Sequence, residues 1–100
     1  MDLRPDHLAV VKEILKNRVP FAEVRAFGSR VTGKAKKHSD FDLVVVAKGP
    51  LTSPLLSLLK GDFEESNLPF RVDVLDWYAI SGRFQSLILK KYEIIQECST

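Results

Sequence analysis

The sequence predicts an α/β or α+β protein built on a small sheet, and two observations lead to this prediction. Stretches with apolar residues at helical spacing alternate along the chain with short stretches rich in β-branched residues. This alternation runs through all 100 residues without a repeat, a low-complexity segment or an interdomain linker. Residues 1–100 are therefore expected to form a single domain.

The first half of the chain predicts a helix and two strands. Pro5 suits the first position of a helix over residues 5–17, and Pro20 lies beyond its end. A short strand is expected over residues 23–27. The clearest strand covers residues 41–47, where the run DLVVVA is apolar enough to be buried on both faces of a sheet.

The second half predicts a further helix, strand and helix. Thr52 or Ser53 is the expected cap of a leucine-rich helix, and a third strand follows over residues 70–75. Ser81 opens the last helix, which is expected to run towards Tyr92. The tail EIIQECST is expected to add a short extended segment.

Composition and charge exclude several classes of protein. The net charge of +2 is too small to predict nucleic-acid binding from bulk electrostatics. No apolar run approaches the roughly 20 residues that cross a bilayer, and the acidic N-terminus does not resemble a signal peptide. The single cysteine, Cys98, rules out an internal disulfide, so a cytoplasmic setting without a membrane is expected.

The stretch FGSRVTGKAKKHSDFDLVVV nearly spells a phosphate-binding P-loop, because Gly28, Gly33 and Lys34 fit G-x-x-x-x-G-K. A P-loop needs a Ser or Thr next, whose hydroxyl holds Mg²⁺, but this position is Ala35. A P-loop also opens a long crossover helix, and too few residues remain before Asp40 to form one. The match is therefore interpreted as accidental.

Two aspartates, Asp40 and Asp42, stand two residues apart at the start of the clearest strand, so their side chains point to the same face. Neighbouring carboxylates repel each other unless a cation lies between them, and Mg²⁺ prefers carboxylate oxygens. Asp73, in the middle of the third strand, is the candidate third carboxylate. Asp76 is its rival, but its position in the strand puts it on the opposite face.

Gly28 and Ser29 follow a strand and precede a short helical turn. Glycine lets a backbone approach a phosphate closely, and the N–H groups of the turn and the Ser29 hydroxyl are candidate donors. Arg30 is open between a phosphate contact and a structural ion pair. Ser29 could also be a plain turn residue. The cationic run, which comprises Lys34, Lys36, Lys37 and His38, is interpreted as a solvated loop in which His38 is a minor candidate base.

The pattern Gly28-Ser29, ten residues, then Asp40-Phe41-Asp42 resembles the signature of the DNA polymerase β-like nucleotidyltransferase superfamily. The small size, Gly33 and the aspartate in RVDVLDW resemble its minimal nucleotidyltransferase (MNT) branch. The resemblance implies a small mixed sheet flanked by helices. It also implies that Asp40, Asp42 and Asp73 bind two Mg²⁺ ions and act in catalysis, and that Gly28 and Ser29 bind the phosphates of a nucleotide, with Arg30 as a further candidate for the phosphate site.

The same resemblance implies transfer of a nucleotide, by family default AMP from ATP, to a hydroxyl. Members of this branch are commonly encoded beside a helical HEPN protein, and in characterised pairs the MNT protein is the antitoxin and modifies a tyrosine of its partner. A HEPN partner is therefore expected, with a homodimer inside the hetero-complex left open. The alternative is a non-catalytic antitoxin that blocks its partner by contact. Modification of a small molecule is disfavoured, since 100 residues leave no second domain to hold one.

Overall fold

The structure, a computed structural model, describes residues 1–36 and 39–98. Four helices, four strands and one 3-10 turn follow each other along these residues. They are α1 (Pro5–Arg18), β1 (Glu23–Phe27), α2 (Ser29–Thr32), β2 (Phe41–Val46), α3 (Ser53–Glu64), β3 (Val72–Asp76), the 3-10 turn (Trp77–Ala79), α4 (Gly82–Lys90) and β4 (Glu93–Gln96). None of the helices in the described ranges is long and apolar enough to cross a membrane.

The four strands form one mixed sheet in the order β3-β2-β1-β4. Strand β1 pairs antiparallel with both β2 and β4, whereas β2 and β3 run parallel. Parallel neighbours need a crossover connection, and α3 provides it between β2 and β3. The predicted small mixed sheet with flanking helices is thus confirmed.

The hydrophobic core lies on one face of the sheet, beneath α1 and α3. Alternate residues of β2 point into it, because successive side chains of a strand face opposite sides. Its fully buried members include Val11 and Leu15 of α1, Val24 and Ala26 of β1, Phe41, Leu43 and Val45 of β2, and Leu59 of α3. The opposite face of the sheet carries Asp42 and Asp73, so it is this face that can hold a polar site.

Most predicted boundaries hold to within one residue, and two differ by two residues. Thr52 accepts a hydrogen bond from Leu55 N and caps α3, Ser81 caps α4, and the tail forms β4. The third strand begins at Val72, two residues later than expected, because its ladder starts opposite Phe41, the first residue of β2. Helix α4 ends at Lys90, and the Tyr92 ring instead packs against the Arg25 guanidinium, 4.9 Å from ring centroid to Cζ.

Candidate active site

The three candidate carboxylates come from two neighbouring strands and the loop before them. Asp42 of β2 lies in register with Asp73 of β3, so both side chains stand side by side on the face away from the core. Asp40 is exposed, one residue before β2 begins. The sequence placed these residues on one face, and the structure brings them to one end of the parallel strand pair.

Electrostatic coupling joins the three carboxylates. The pKa of Asp42 is raised from 3.8 to about 6, mainly because the carboxyl is partly buried and further because of the negative charges of Asp73 and Asp40. A carboxylate that is both half-desolvated and next to two like charges is unfavourable when ionised. The site therefore carries an excess of negative charge that a cation can relieve.

These residues fit a divalent metal ion by their chemistry. Hard cations such as Mg²⁺ take carboxylate oxygens, and the mutual repulsion felt by Asp42 is the condition that such an ion would remove. Over residues 1–36 and 39–98, no three His, Cys, Asp or Glu side chains are already gathered closely enough to enclose an ion. An ion shared by Asp40, Asp42 and Asp73 would therefore require these side chains to turn towards it.

Gly28 lies against Asp42. Its φ of 83° and ψ of −160° belong to a region that L side chains rarely adopt. A Cβ added here would overlap Oδ2 of Asp42 and lie 3.2 Å from its Cγ. Only glycine therefore lets the turn pass this close to the carboxylate, so the candidate phosphate site and the candidate metal site adjoin each other.

Ser29 begins the single-turn helix α2. The N–H groups of Val31 and Thr32 donate to the carbonyl of Gly28, which leaves the N–H groups of the first turn, at Ser29 and Arg30, at its open end. Gly33 ends the turn in the left-handed conformation, with φ of 80°. A phosphate placed at the open end would thus meet backbone donors directly beside Asp42.

The P-loop interpretation is excluded by topology. The helix after Gly28 has one turn, and the strands on either side of it, β1 and β2, are antiparallel. A P-loop instead joins its strand to a long crossover helix. Lys34 N donates to the carbonyl of Ser29 and so completes the end of α2.

The Arg30 side chain makes structural contacts within the chain. Its side chain is buried, Nε and Nη2 donate to the carbonyl of Ser39 at 3.0 and 2.8 Å, and Nη1 donates to the carbonyl of Asp2 at 2.8 Å. The guanidinium also stacks 4.4 Å from the ring centroid of Phe70. The sequence left a phosphate contact and a structural ion pair open. The structure gives backbone carbonyls as partners of the guanidinium in place of an ion pair, and the phosphate contact stays a prediction.

This contact between Arg30 and Ser39 is the feature that sequence reasoning missed. Ser39 immediately precedes Asp40, so Arg30 fixes the peptide from which the first candidate carboxylate projects. No short sequence pattern predicts this contact, because the two residues are nine positions apart and the acceptor is a backbone carbonyl. In the cationic run, Lys34 and Lys36 are exposed, while the predictions for Lys37 and His38 concern positions outside the described residues.

Asp76 is a structural residue on the core side of β3. It is buried, and its carboxylate accepts hydrogen bonds from Leu51 N at 2.9 Å and Tyr78 N at 3.1 Å. Through these bonds Asp76 links the loop between β2 and α3, at Leu51, to the 3-10 turn, at Tyr78. Its position opposite Val45 agrees with the expected separation from Asp73.

Comparison with known proteins connects this geometry to a family. A family model described as a nucleotidyltransferase domain matches residues 8–98. A probable protein adenylyltransferase, MntA of Haemophilus influenzae, is 50% identical over 97 residues, which is 97% of this chain and 85% of that protein.

Solved structures show the same fold at low sequence identity. A toxin–antitoxin crystallised with AMP-PNP has a TM-score of 0.76 at 20% identity, and a mutant of the toxin–antitoxin MntA–HpeT has a TM-score of 0.75 at 18% identity. In both, 92% of this chain aligns with 74% of the other. A protein from Shewanella oneidensis has a TM-score of 0.70 at 17% identity, over 93% of this chain and 71% of that one.

Proposed function

The chain belongs to the nucleotidyltransferase domain family and is an enzyme of that class, and from this premise we propose that it transfers AMP from ATP to a hydroxyl of a partner protein. The observation that carries the proposal is the row formed by Gly28, Asp42 and Asp73. It puts an open backbone turn, a half-buried carboxylate and a second carboxylate next to each other. An enzyme that transfers a nucleotide must hold the phosphates, the cation and the acceptor hydroxyl next to each other.

The residues divide into two groups by what they can bind. The N–H groups at Ser29 and Arg30 and the close approach permitted by Gly28 suit the β- and γ-phosphates of ATP. Asp40, Asp42 and Asp73 would hold Mg²⁺, two ions by analogy with the family, which would neutralise charge on the triphosphate and on the leaving group.

Asp73 is the candidate general base. Its side chain is partly exposed at the edge of the sheet, where an acceptor from another protein can reach it. It would take the proton of the acceptor hydroxyl as the hydroxyl oxygen forms its bond to the α-phosphorus. The bond between the α-phosphorus and the bridging oxygen breaks, and pyrophosphate leaves towards Gly28 and Ser29.

The partner we propose is the toxin of a toxin–antitoxin pair, a helical HEPN-type protein encoded nearby. The support is the 50% identity to a probable protein adenylyltransferase and the likeness to structures of toxin–antitoxin complexes. A cytoplasmic setting belongs to the same proposal. A second candidate function, neutralisation by contact alone, retains the fold and the partner but does not need the three aspartates.

The test uses ATP labelled at the α-phosphate, with Mg²⁺, the purified chain and the product of its neighbouring gene. Asp42→Asn runs alongside as the variant that keeps the side chain's size while it removes the charge. We expect label on the partner with the wild-type chain and none with the variant. A peptide map of the labelled partner then identifies the acceptor residue.

The alternative function predicts a different result in the same experiment. If no label moves but the two proteins form a complex that Asp42→Asn leaves intact, the aspartates are not needed and contact alone accounts for neutralisation. If the purified chain alone transfers the label from ATP to a small-molecule acceptor, the acceptor class proposed here is wrong.

A further inference from the structure

Helix α4 carries apolar side chains that the rest of the described chain does not cover. Of its apolar residues only Ile88 is buried, whereas Phe84 is 38% exposed and Leu87 is 55% exposed. These two residues are three apart, so they lie next to each other on one side of the helix. An exposed aromatic–leucine pair on a small protein is a candidate contact surface.

This surface continues to the candidate active site. Phe84 and Leu87 form one wall of a cleft of about 270 Å³ whose other wall includes Phe27 and Gly28. The rings of Phe27 and Phe84 contact each other edge to face, with centroids 5.9 Å apart. Whatever covers this part of α4 is therefore held beside the turn that carries Gly28.

The charged side chains that line the cleft, Lys90 and Lys91, are both cationic. Arg83, Lys90 and Lys91 are exposed around the apolar pair, and α4 contains no Asp or Glu. Two copies of this chain paired through α4 would bring these cations against each other, so self-association through this surface is disfavoured. A partner with acidic side chains around an apolar contact is complementary to it.

We propose that Phe84 and Leu87, with the cations Arg83, Lys90 and Lys91 around them, form the docking surface for the acceptor protein, whose contact surface is apolar with acidic flanks. This inference rests on the proposed function, because it assigns the place where the modified partner is held. Docking at α4 positions the partner next to Gly28, which adjoins Asp42, and Asp42 is in turn paired with Asp73 on the next strand.

The test measures the dissociation constant of the chain for the product of its neighbouring gene by calorimetry. Leu87→Glu puts a carboxylate into the apolar pair, and we expect it to weaken the complex by about tenfold or more. The double variant Lys90→Glu, Lys91→Glu should weaken it similarly and more strongly at low salt. Because these side chains are exposed, thermal unfolding of the variants should match that of the wild type.

The matched control is Leu58→Glu. Leu58 is 49% exposed on α3, on the core side of the sheet, and its replacement should leave the complex within about twofold of wild type. ATP affinity of Leu87→Glu should also stay within about twofold, since Leu87 lies outside the residues assigned to the triphosphate.

Four results would overturn the docking surface. The first two are the absence of a complex with the wild-type chain and equal partner affinity of the wild type and Leu87→Glu. The other two are a larger loss of partner affinity in Leu58→Glu than in Leu87→Glu, and a loss of ATP affinity in Leu87→Glu with partner affinity intact. The last result would assign the cleft to the nucleotide. If the complex depends on Leu87 but no label is transferred by the wild type, the docking surface stands and the proposed enzymatic function fails.

Discussion

Asp42 and Asp73 lie directly opposite each other on the parallel strands β2 and β3, and the charge of Asp73 contributes to the raised pKa of Asp42. Two carboxylates in this arrangement oppose each other in the metal-free protein and become compatible once a cation binds. The same pair therefore makes the site useful for metal-dependent chemistry and unfavourable for stability when the metal is absent.

Asp42→Asn should accordingly separate activity from stability. We expect nucleotide transfer to fall by about a hundredfold or more, because one carboxylate of the candidate metal site is lost. The metal-free variant should be more stable than the metal-free wild type at pH 7, by about 1 kcal/mol, because the buried repulsion is removed. Chemical denaturation in EDTA measures the second effect, and Mg²⁺ should stabilise only the wild type. A less stable variant would contradict the electrostatic account.

Stability of the metal-free protein should depend on pH through the same residue. In the folded chain the pKa of Asp42 is raised to about 6, against 3.8 as its ordinary value, so between these values the folded state binds more protons than the unfolded state. Stability contributed by protonated Asp42 is present below about pH 4 and is lost as the pH rises through about 6. Melting temperatures are measured in EDTA from pH 4 to pH 7.5. Over this range the melting temperature of the wild type should fall by roughly a few degrees more than that of Asp42→Asn.

Gly28→Ala tests the close approach of the turn to Asp42. The new methyl group would overlap Oδ2 of Asp42 and force an unfavourable φ, so we expect a loss of stability of about 1–3 kcal/mol and loss of most transfer activity. Gly61→Ala is the matched control, because a Cβ at this helical position meets nothing within 4 Å and alanine favours a helix. If Gly28→Ala retains wild-type activity, the turn does not hold the phosphates.

Much of the fold and the candidate site could be predicted from sequence because the signals are local. A few neighbouring residues are enough to predict strand β2 from the run DLVVVA and the two helix starts from the caps Thr52 and Ser81. The spacing of Asp40 and Asp42 is a local signal of the same kind. The start of β3 could not be read locally, since it is fixed by pairing with Phe41 on another strand. The role of Arg30 is likewise a long-range one, because its acceptors are the carbonyls of Ser39 and Asp2.

Asp73 and Asp76 offer a paired test of function against structure within one strand. Asp73→Asn should abolish most transfer while it leaves the melting temperature unchanged or raised, because Asp73 is partly exposed and faces Asp42. Asp76→Asn should lower stability by about 1–3 kcal/mol, because the buried carboxylate accepts from Leu51 N and Tyr78 N. Transfer assays and thermal unfolding of both variants check this. The reverse pattern would exchange their assigned roles.

Arg30→Lys tests whether Arg30 positions Asp40. A lysine keeps the charge but cannot donate twice to the carbonyl of Ser39 while it also reaches Asp2, so the loop before Asp40 should lose its fixed geometry. We expect a stability loss of about 1–3 kcal/mol, as for other buried charged hydrogen bonds, together with a several-fold higher Mg²⁺ concentration for half-maximal transfer.

The Mg²⁺ dependence distinguishes positioning from simple support of the fold. It is measured at a temperature where the variant is fully folded, with Arg4→Lys as the control because Arg4 is exposed and pairs only with nearby Asp6 among its described salt bridges. Unchanged Mg²⁺ dependence in Arg30→Lys, with reduced stability, would mean that Arg30 supports the fold without positioning Asp40. A raised ATP requirement at saturating Mg²⁺ would instead return Arg30 to the phosphates, because the loss would then follow the nucleotide and not the metal.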